Sequence, residues 1–235
     1  MGKSSIIRAI STGTPEVNDY PFTTRGVTLG HLFAQPQGDG GSSEDPGARY
    51  QLMDTPGVLA RDDVLRNEME SLTIASLQHL PTAVMFVADL SGLSGDDKSS
   101  VADQCAVRRE LRQRFPKRPW LDVISKTDLP TEDGAVELFL DAVREMDTAA
   151  SASSAEASDS DDGEAASVFR ARGSVAEVLS VSVLSGSGVP EVEAAVRSML
   201  AQVNVVLRKY ERVQRTAADA AAADAARAEP GSSPQ

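Results

Sequence analysis

The run TAVMFVADL at 82–90 holds no charge before Asp89. A strand apolar at consecutive positions has no face to give to water, so it must be covered on both sides. That is the pattern of a parallel sheet between two layers of helices. The flanking sequence agrees. GVTLGHLFA (26–34), ARYQLMD (48–54), WLDVIS (120–125) and EVLSVSV (177–183) read as further strands. SSIIRAI (4–10), SVADQCAVRRELRQRF (100–115), EDGAVELFLDAVREM (132–146) and PEVEAAVRSMLAQVNVVLRKYERV (190–213) read as helices. DVLRNEMESLTIASLQHL (63–80) carries Val64, Leu65, Met69, Leu72, Leu77 and Leu80 at helical spacing and reads as one more. Strands and helices in alternation predict an α/β fold of three layers with a mostly parallel sheet.

Aromatics make up 4% of the 235 residues against 41% hydrophobic, so the core should be built from Val, Leu, Ile and Ala. The net charge of -12 repels phosphate backbones, and no DNA partner is expected. Cys105 is the single cysteine, which leaves no intrachain disulfide. No apolar run approaches the roughly 20 residues that span a bilayer, so no membrane partner is expected. Three stretches read as insertions or tail. These are a Pro, Gly and Ser loop at 36–48, an acidic and disordered insertion at 148–167, and an Ala-rich helix end with a disordered tail at 214–235. One domain is expected over 1–213.

Four short motifs lie at the ends of the expected strands. MGKSS at 1–5 matches the end of the phosphate loop G-x-x-x-x-G-K-[ST], with the first half of that loop and its feeding strand upstream of Met1. Backbone N–H groups at a helix start favour anions, Lys3 would reach the β- and γ-phosphates, and the Ser4 hydroxyl would ligate Mg²⁺. Gly2 and Ser5 complete this element. DTPG at 54–57 places Asp54 where a strand-terminal carboxylate can hold Mg²⁺, and lets the Gly57 N–H approach a γ-phosphate. SKTD at 125–128 resembles the N-K-x-D guanine-reading motif of GTPases. The Asp128 carboxylate can accept from guanine N1 and N2, adenine would leave it unpaired, and the Lys126 stem can lie along the base. SVLSGSGV at 182–189 resembles the S-A-x-x-x-x-G-[VI] segment of GTPases, where the backbone of Ser182, Val183 and Leu184 would face the base. Each motif is weak alone. Their shared order, each at a strand's C-terminal end, is the ligand edge of an open α/β sheet.

DYPFTTRGVTLGH at 19–31 resembles the switch region of Obg-related GTPases. Together with DTPGVL, RNEMESLTIASLQHL and AVMFVADLSG it is most similar to the nucleolar GTP-binding protein 1 family. The resemblance runs from residue 2 to about residue 208 outside the two insertions. It implies a P-loop GTPase fold, GTP or GDP as ligand with Mg²⁺, and Thr24, beside Phe22 and Thr23, as the switch threonine and a third metal ligand with Ser4 and Asp54. Lys3, Thr24 and Gly57 would then serve the hydrolytic step. It also implies a role in assembly of the large ribosomal subunit, contact with a pre-ribosomal particle or rRNA, and a nucleolar or nuclear location, with cytosol or an organelle matrix open.

Two departures qualify that picture. Ser125 stands where the family uses Asn, a longer brace for the phosphate loop, so nucleotide affinity should fall. The strand before Gly2 is expected to be missing from the sheet, leaving two neighbours with open edges at about 1–3 kcal/mol per unsatisfied group. This expectation favours a start further upstream, and its alternative is a nucleotide-binding-impaired scaffold or fragment. The basic run Arg108, Arg109, Arg112, Arg114, Lys117 and Arg118 reads as a solvated helix face or, more sharply, as an RNA contact.

Val58 follows DTPG where Ras-like enzymes place a water-orienting Gln, and valine cannot hold water. Intrinsic GTP hydrolysis should therefore be slow. Single-turnover measurements on the free protein check this, and a rate typical of an activated GTPase would contradict it.

Overall fold

A computed structural model describes residues 2–12, 27–33, 49–92, 100–116, 118–153, 178–204 and 207–208. The elements are α1 (Lys3–Ile10), β1 (Thr28–Phe33), β2 (Arg49–Asp54), a 3₁₀ turn (Asp63–Leu65), α2 (Glu68–His79), β3 (Val84–Asp89), α3 (Val101–Arg114), β4 (Trp120–Ser125), α4 (Ala135–Ser153), β5 (Leu179–Val181) and α5 (189–204). The expected loop at 36–48, most of the acidic stretch and the tail at 214–235 lie outside the described residues. Within the acidic stretch, α4 continues through Ser153 rather than stopping near Met146.

The strands form two sheets. β3, β4 and β5 are parallel, with Val84 opposite Trp120 and Asp89 opposite Ser125. β1 and β2 form an antiparallel pair, with Thr28 opposite Asp54. The described residues therefore hold a parallel sheet and a separate hairpin, rather than one continuous sheet.

Alternation along the strands sends side chains into two helical layers. Val87, Val123 and Val181 face α1 and α5, where they join Ile6, Ile7, Ile10, Val192 and Val196. Leu32, Tyr50 and Leu52 of the hairpin enter the same cluster, so α1 roofs both sheets. On the other face Ala88 and Ile124 meet Val101, Cys105, Phe139 and Val143 of α3 and α4. The core is aliphatic, as the composition implies, and Cys105 sits in it as a small apolar residue.

The expected long helix at 63–80 is broken. Val64 and Leu65 are 93% and 66% exposed, and Leu72 and Leu80 also face outward. α2 instead starts at a capping box in which Asn67 accepts from the Glu70 N–H and Glu70 accepts from the Asn67 N–H. Its buried side is Glu70, Thr73 and Ile74. The leucine spacing misled because this helix turns its hydrogen-bonding side chains inward, toward the loop before it.

Part of the basic run is absorbed by the fold. Arg108 is 1% exposed and grips Asp122 with two bonds, Nε to Oδ1 at 2.8 Å and a terminal nitrogen to Oδ2 at 2.7 Å. It also donates to the Ala142 carbonyl, and Trp120 Nε1 donates to Asp122 at 2.9 Å. Arg112 lies over the Trp120 ring, Arg109 pairs with Glu145, and Arg114 pairs with Asp63. Arg118 donates to the Leu77 and Thr82 carbonyls. Arg108 thus ties α3 to β4 and α4 rather than lying on a solvated face, whereas Arg109 and Arg114 are exposed, as a solvated helix face would have them. Lys117 lies outside the described residues.

Removing one partner of a buried ion pair strands the other charge, at about 3–5 kcal/mol. Asp122→Ala should lose about that much stability in urea unfolding. Exposed Asp141→Ala, which breaks only its surface pair with Arg144, should lose less than about 1 kcal/mol.

Candidate functional site

The C-terminal ends of β2, β3 and β4 converge on the first turn of α1. Ser4 Oγ donates to Asp54 Oδ2 at 2.6 Å, and both groups are buried. Gly2 has φ of 75°, a left-handed conformation suited to glycine, and caps α1. A Cβ added there would lie 3.3 Å from the Ser125 side chain. The loop end therefore rests directly on Ser125. The Ser125 hydroxyl, in turn, donates to the Ala88 carbonyl at 2.8 Å and is spent on the sheet.

Lys3 stands beside this pair. Burial pushes its ammonium below the ordinary lysine value, and Asp54 partly opposes that shift. Ser4 and Asp54 present hard oxygen donors side by side, which is the chemistry Mg²⁺ takes. The residues present therefore fit the ion.

DTPG is held from behind. Thr73 Oγ1 donates to the Pro56 carbonyl at 3.0 Å, and Val58 packs on Ile74, Val107 and Leu111. The buried Glu70 carboxylate accepts from the Leu59 N–H at 2.9 Å and from Arg61 Nε at 3.2 Å. One carboxylate thus caps α2 and also grips the loop after Gly57.

A second cluster lies where β4 and β5 finish. Lys126 has φ of 58° and its Nζ pairs with buried Asp89 at 2.9 Å. Ser182 Oγ donates to Asp128 Oδ1 at 2.5 Å and also accepts from the Ser185 N–H. Ser182 is buried, whereas Asp128, Val183 and Leu184 are exposed. Asp128 therefore stands at the rim, with Ser182 fixing one oxygen. Gly188 closes this loop so tightly that a Cβ would fall 2.0 Å from the Ser180 carbonyl oxygen.

Gly2, Lys3, Ser4, Ser5, Asp54 and Gly57 thus share one end of the sheets with Ser125, Lys126, Asp128 and Ser182–Leu184. Phe22, Thr23 and Thr24 lie outside the described residues. Glu70, Thr73 and Asp89 were missed by the motif search. For Glu70 the signal was available, since N-x-x-E spells a capping box. Asp89 was read only as the end of an apolar strand.

The nucleolar GTP-binding protein 1 family profile matches residues 68–128. The nucleolar GTP-binding protein 1 of Arabidopsis thaliana is 32% identical over 146 residues, covering 62% of this chain and 20% of that protein. The chain is similar in sequence to nucleolar GTP-binding protein 1. The Candida glabrata protein of that name is 33% identical over 129 residues, covering 55% of this chain and 18% of its own length. The chain spans about a fifth of the length of these two relatives. A solved Plasmodium falciparum structure bearing the nucleolar GTP-binding protein 1 name overlaps 92% of the chain and 89% of that chain, at 20% identity and a TM-score of 0.48. The stretch matched to nucleolar GTP-binding protein 1 begins at Glu68, the first residue of α2, and ends at Asp128. It holds Glu70, Thr73, Asp89, Ser125 and Lys126.

The lowered Lys3 value has a sign that can be tested. The folded state binds this proton less tightly than the unfolded chain does. Lys3 therefore costs stability below its folded value, and that cost fades as pH rises toward 10.5. A bound polyphosphate would restore the charge. GDP binding at alkaline pH should then take up a proton, seen as heats that scale with buffer ionisation enthalpy, and Lys3→Met should abolish that uptake.

Proposed function

We propose that this chain is a guanine-nucleotide-binding domain that acts as a slow GTP-hydrolysing switch. The observation that carries the reading is the convergence of two half-sites at the same end of the two sheets. One is the buried Ser4–Asp54 pair at the start of α1, and the other is the Ser182–Asp128 pair at the ends of β5 and β4. The first suits a polyphosphate with its Mg²⁺, and the second suits the donor edge of guanine. Ligands of open α/β sheets bind at such strand ends.

When bound, Mg²⁺ would neutralise charge on the β- and γ-oxygens. Ser4 and Asp54 would hold it, with Thr24 as the switch ligand by resemblance. Lys3 would add a cation beside the same oxygens, and Gly57 would offer its N–H to the γ-phosphate. Thr73 and Glu70 hold the DTPG loop from behind, so loss of the γ-phosphate contact would be felt directly at the head of α2. Val58 is committed to the apolar contact with Ile74 and Val107, which keeps it from positioning water.

A role in assembly of the large ribosomal subunit, at a pre-ribosomal particle in the nucleolus, is the process this reading favours, with the names of the relatives as its support. No helix among the described residues is long and apolar enough to cross a membrane. A second reading, a binding module with impaired nucleotide affinity, is favoured by the separation of the hairpin from the parallel sheet.

Displacement of a fluorescent GDP analogue separates the two. GTP and GDP should displace it at far lower concentration than ATP, and only with Mg²⁺ at full strength. Asp128→Ala should erase the preference for guanine, costing about 1–3 kcal/mol in GDP affinity. Equal displacement by ATP would overturn guanine reading, and no binding of any nucleotide would support the module.

A further inference from the structure

One buried carboxylate stands among the strand ends without belonging to any of the four motifs. Asp89 closes β3 opposite Ser125 and is 1% exposed. Both of its carboxylate oxygens are engaged. Oδ1 accepts from the Ser91 N–H at 3.1 Å and from the Ser91 hydroxyl at 2.6 Å, and Oδ2 pairs with Lys126 Nζ at 2.9 Å. Its backbone is clamped as well. The Gln104 amide of α3, itself buried, accepts from the Asp89 N–H at 2.9 Å and donates to the Asp89 carbonyl at 2.8 Å. A carboxylate fixed through main chain and side chain is a rigid anchor for the ammonium that reaches it.

Lys126 meets that anchor from a strained backbone. Among the described residues it is the one non-glycine residue with a positive φ, at 58°. Such strain persists where the surrounding contacts hold it, and it collects at ligand clamps. Lys126 also opens the turn that carries Asp128, with its carbonyl accepting from the Leu129 N–H at 3.0 Å. The Glu132 N–H donates to the Leu90 carbonyl at 2.9 Å, which ties the far side of that turn back to the end of β3. The Lys126 side chain is 34% exposed, whereas that of Asp89 is fully covered. The lysine stem is therefore fixed at both ends and open to solvent between them.

We infer that Asp89 is a positioning residue for nucleobase recognition. It pins the Lys126 ammonium, so that the lysine stem is a ledge formed in advance for a planar base and the turn bearing Asp128 keeps its shape. The inference rests on the guanine reading proposed above and adds to it a residue outside the motifs. Its physical basis is preorganisation. A free lysine stem loses rotamer freedom when a base settles on it, and a stem already held at both ends does not. Stability alone does not require the pair, because replacing a buried ion pair by apolar residues is often neutral. Orientation is what an ion pair supplies here and an apolar contact would not.

The test uses the full chain in two arms. The first contains no nucleotide and follows reductive methylation of Lys126 by mass spectrometry. Asp89→Asn keeps the side-chain shape and removes the charge, so Lys126 should react faster than in the wild type. Equal rates would overturn the inference. The second arm compares affinity for GDP with affinity for inorganic pyrophosphate, which has no base, both with Mg²⁺. Asp89→Asn should lower GDP affinity about three- to tenfold more than pyrophosphate affinity. Ser91→Ala keeps the buried ion pair and frees one carboxylate oxygen, and should move the same ratio in the same direction by about twofold. Where Asp89→Asn does not fold, the Ser91→Ala ratio decides alone. A purely structural role would lower both affinities together, and that outcome overturns the inference while the guanine reading stands. A wild-type chain with no affinity for GDP beyond that for pyrophosphate would overturn the guanine reading itself, and the inference with it.

Discussion

Helix α1 is the element on which the rest depends. It is short, and isolated helices of its length do not persist in water. Its stability comes from Ile6, Ile7 and Ile10, which are buried against residues of both sheets. Full burial of an aliphatic side chain contributes roughly 1.5–3 kcal/mol, so these three contacts are large on the scale of a domain's total stability. They keep the hairpin and the parallel sheet under one roof although no strand among the described residues joins them. They also aim the first turn of α1 at the strand ends, where Ser4 meets Asp54 and Gly2 rests on Ser125.

The second organising interaction is the Glu70 carboxylate. It is fully buried, yet it is surrounded by donors: the Asn67 and Leu59 N–H groups and the Arg61 side chain. A buried charge is tolerated when its lone pairs are used this way. The consequence is mechanical. The loop after DTPG and the first turn of α2 share one anchor, so neither can move without breaking the other's hydrogen bonds. Thr73 repeats the link one turn later at Pro56. The DTPG loop and the head of α2 are joined by two side chains that carry no motif.

The apolar run at 82–90 announced a strand buried on both faces, and β3 is that strand. The motif series marked the strand ends and the helix start that the fold brings together, because strand termini and helix starts have local signatures in Gly, Lys, Ser and Asp. The helix at 63–80 was misread because its apolar spacing was real but two of its three buried residues, Glu70 and Thr73, are polar. Periodicity registers hydrophobicity, and Glu70 and Thr73 are buried through hydrogen bonds that depend on a loop brought close by the fold. Arg108 was misread for a related reason. A row of arginines looks like a surface until a carboxylate distant in sequence, here Asp122, takes one of them into the core.

The sequence by itself determined the α/β alternation, the aliphatic core and the positions of the loops that carry chemistry, because each of these is written in periodicity or in a few adjacent residues. Only the tertiary structure decided what those loops touch. Ser125 rests beneath Gly2 while giving its hydroxyl to Ala88, and Ser182 fixes Asp128 at an exposed rim. Such contacts join residues far apart in the chain, and their geometry is set by how α1, α3 and α5 pack on the strands.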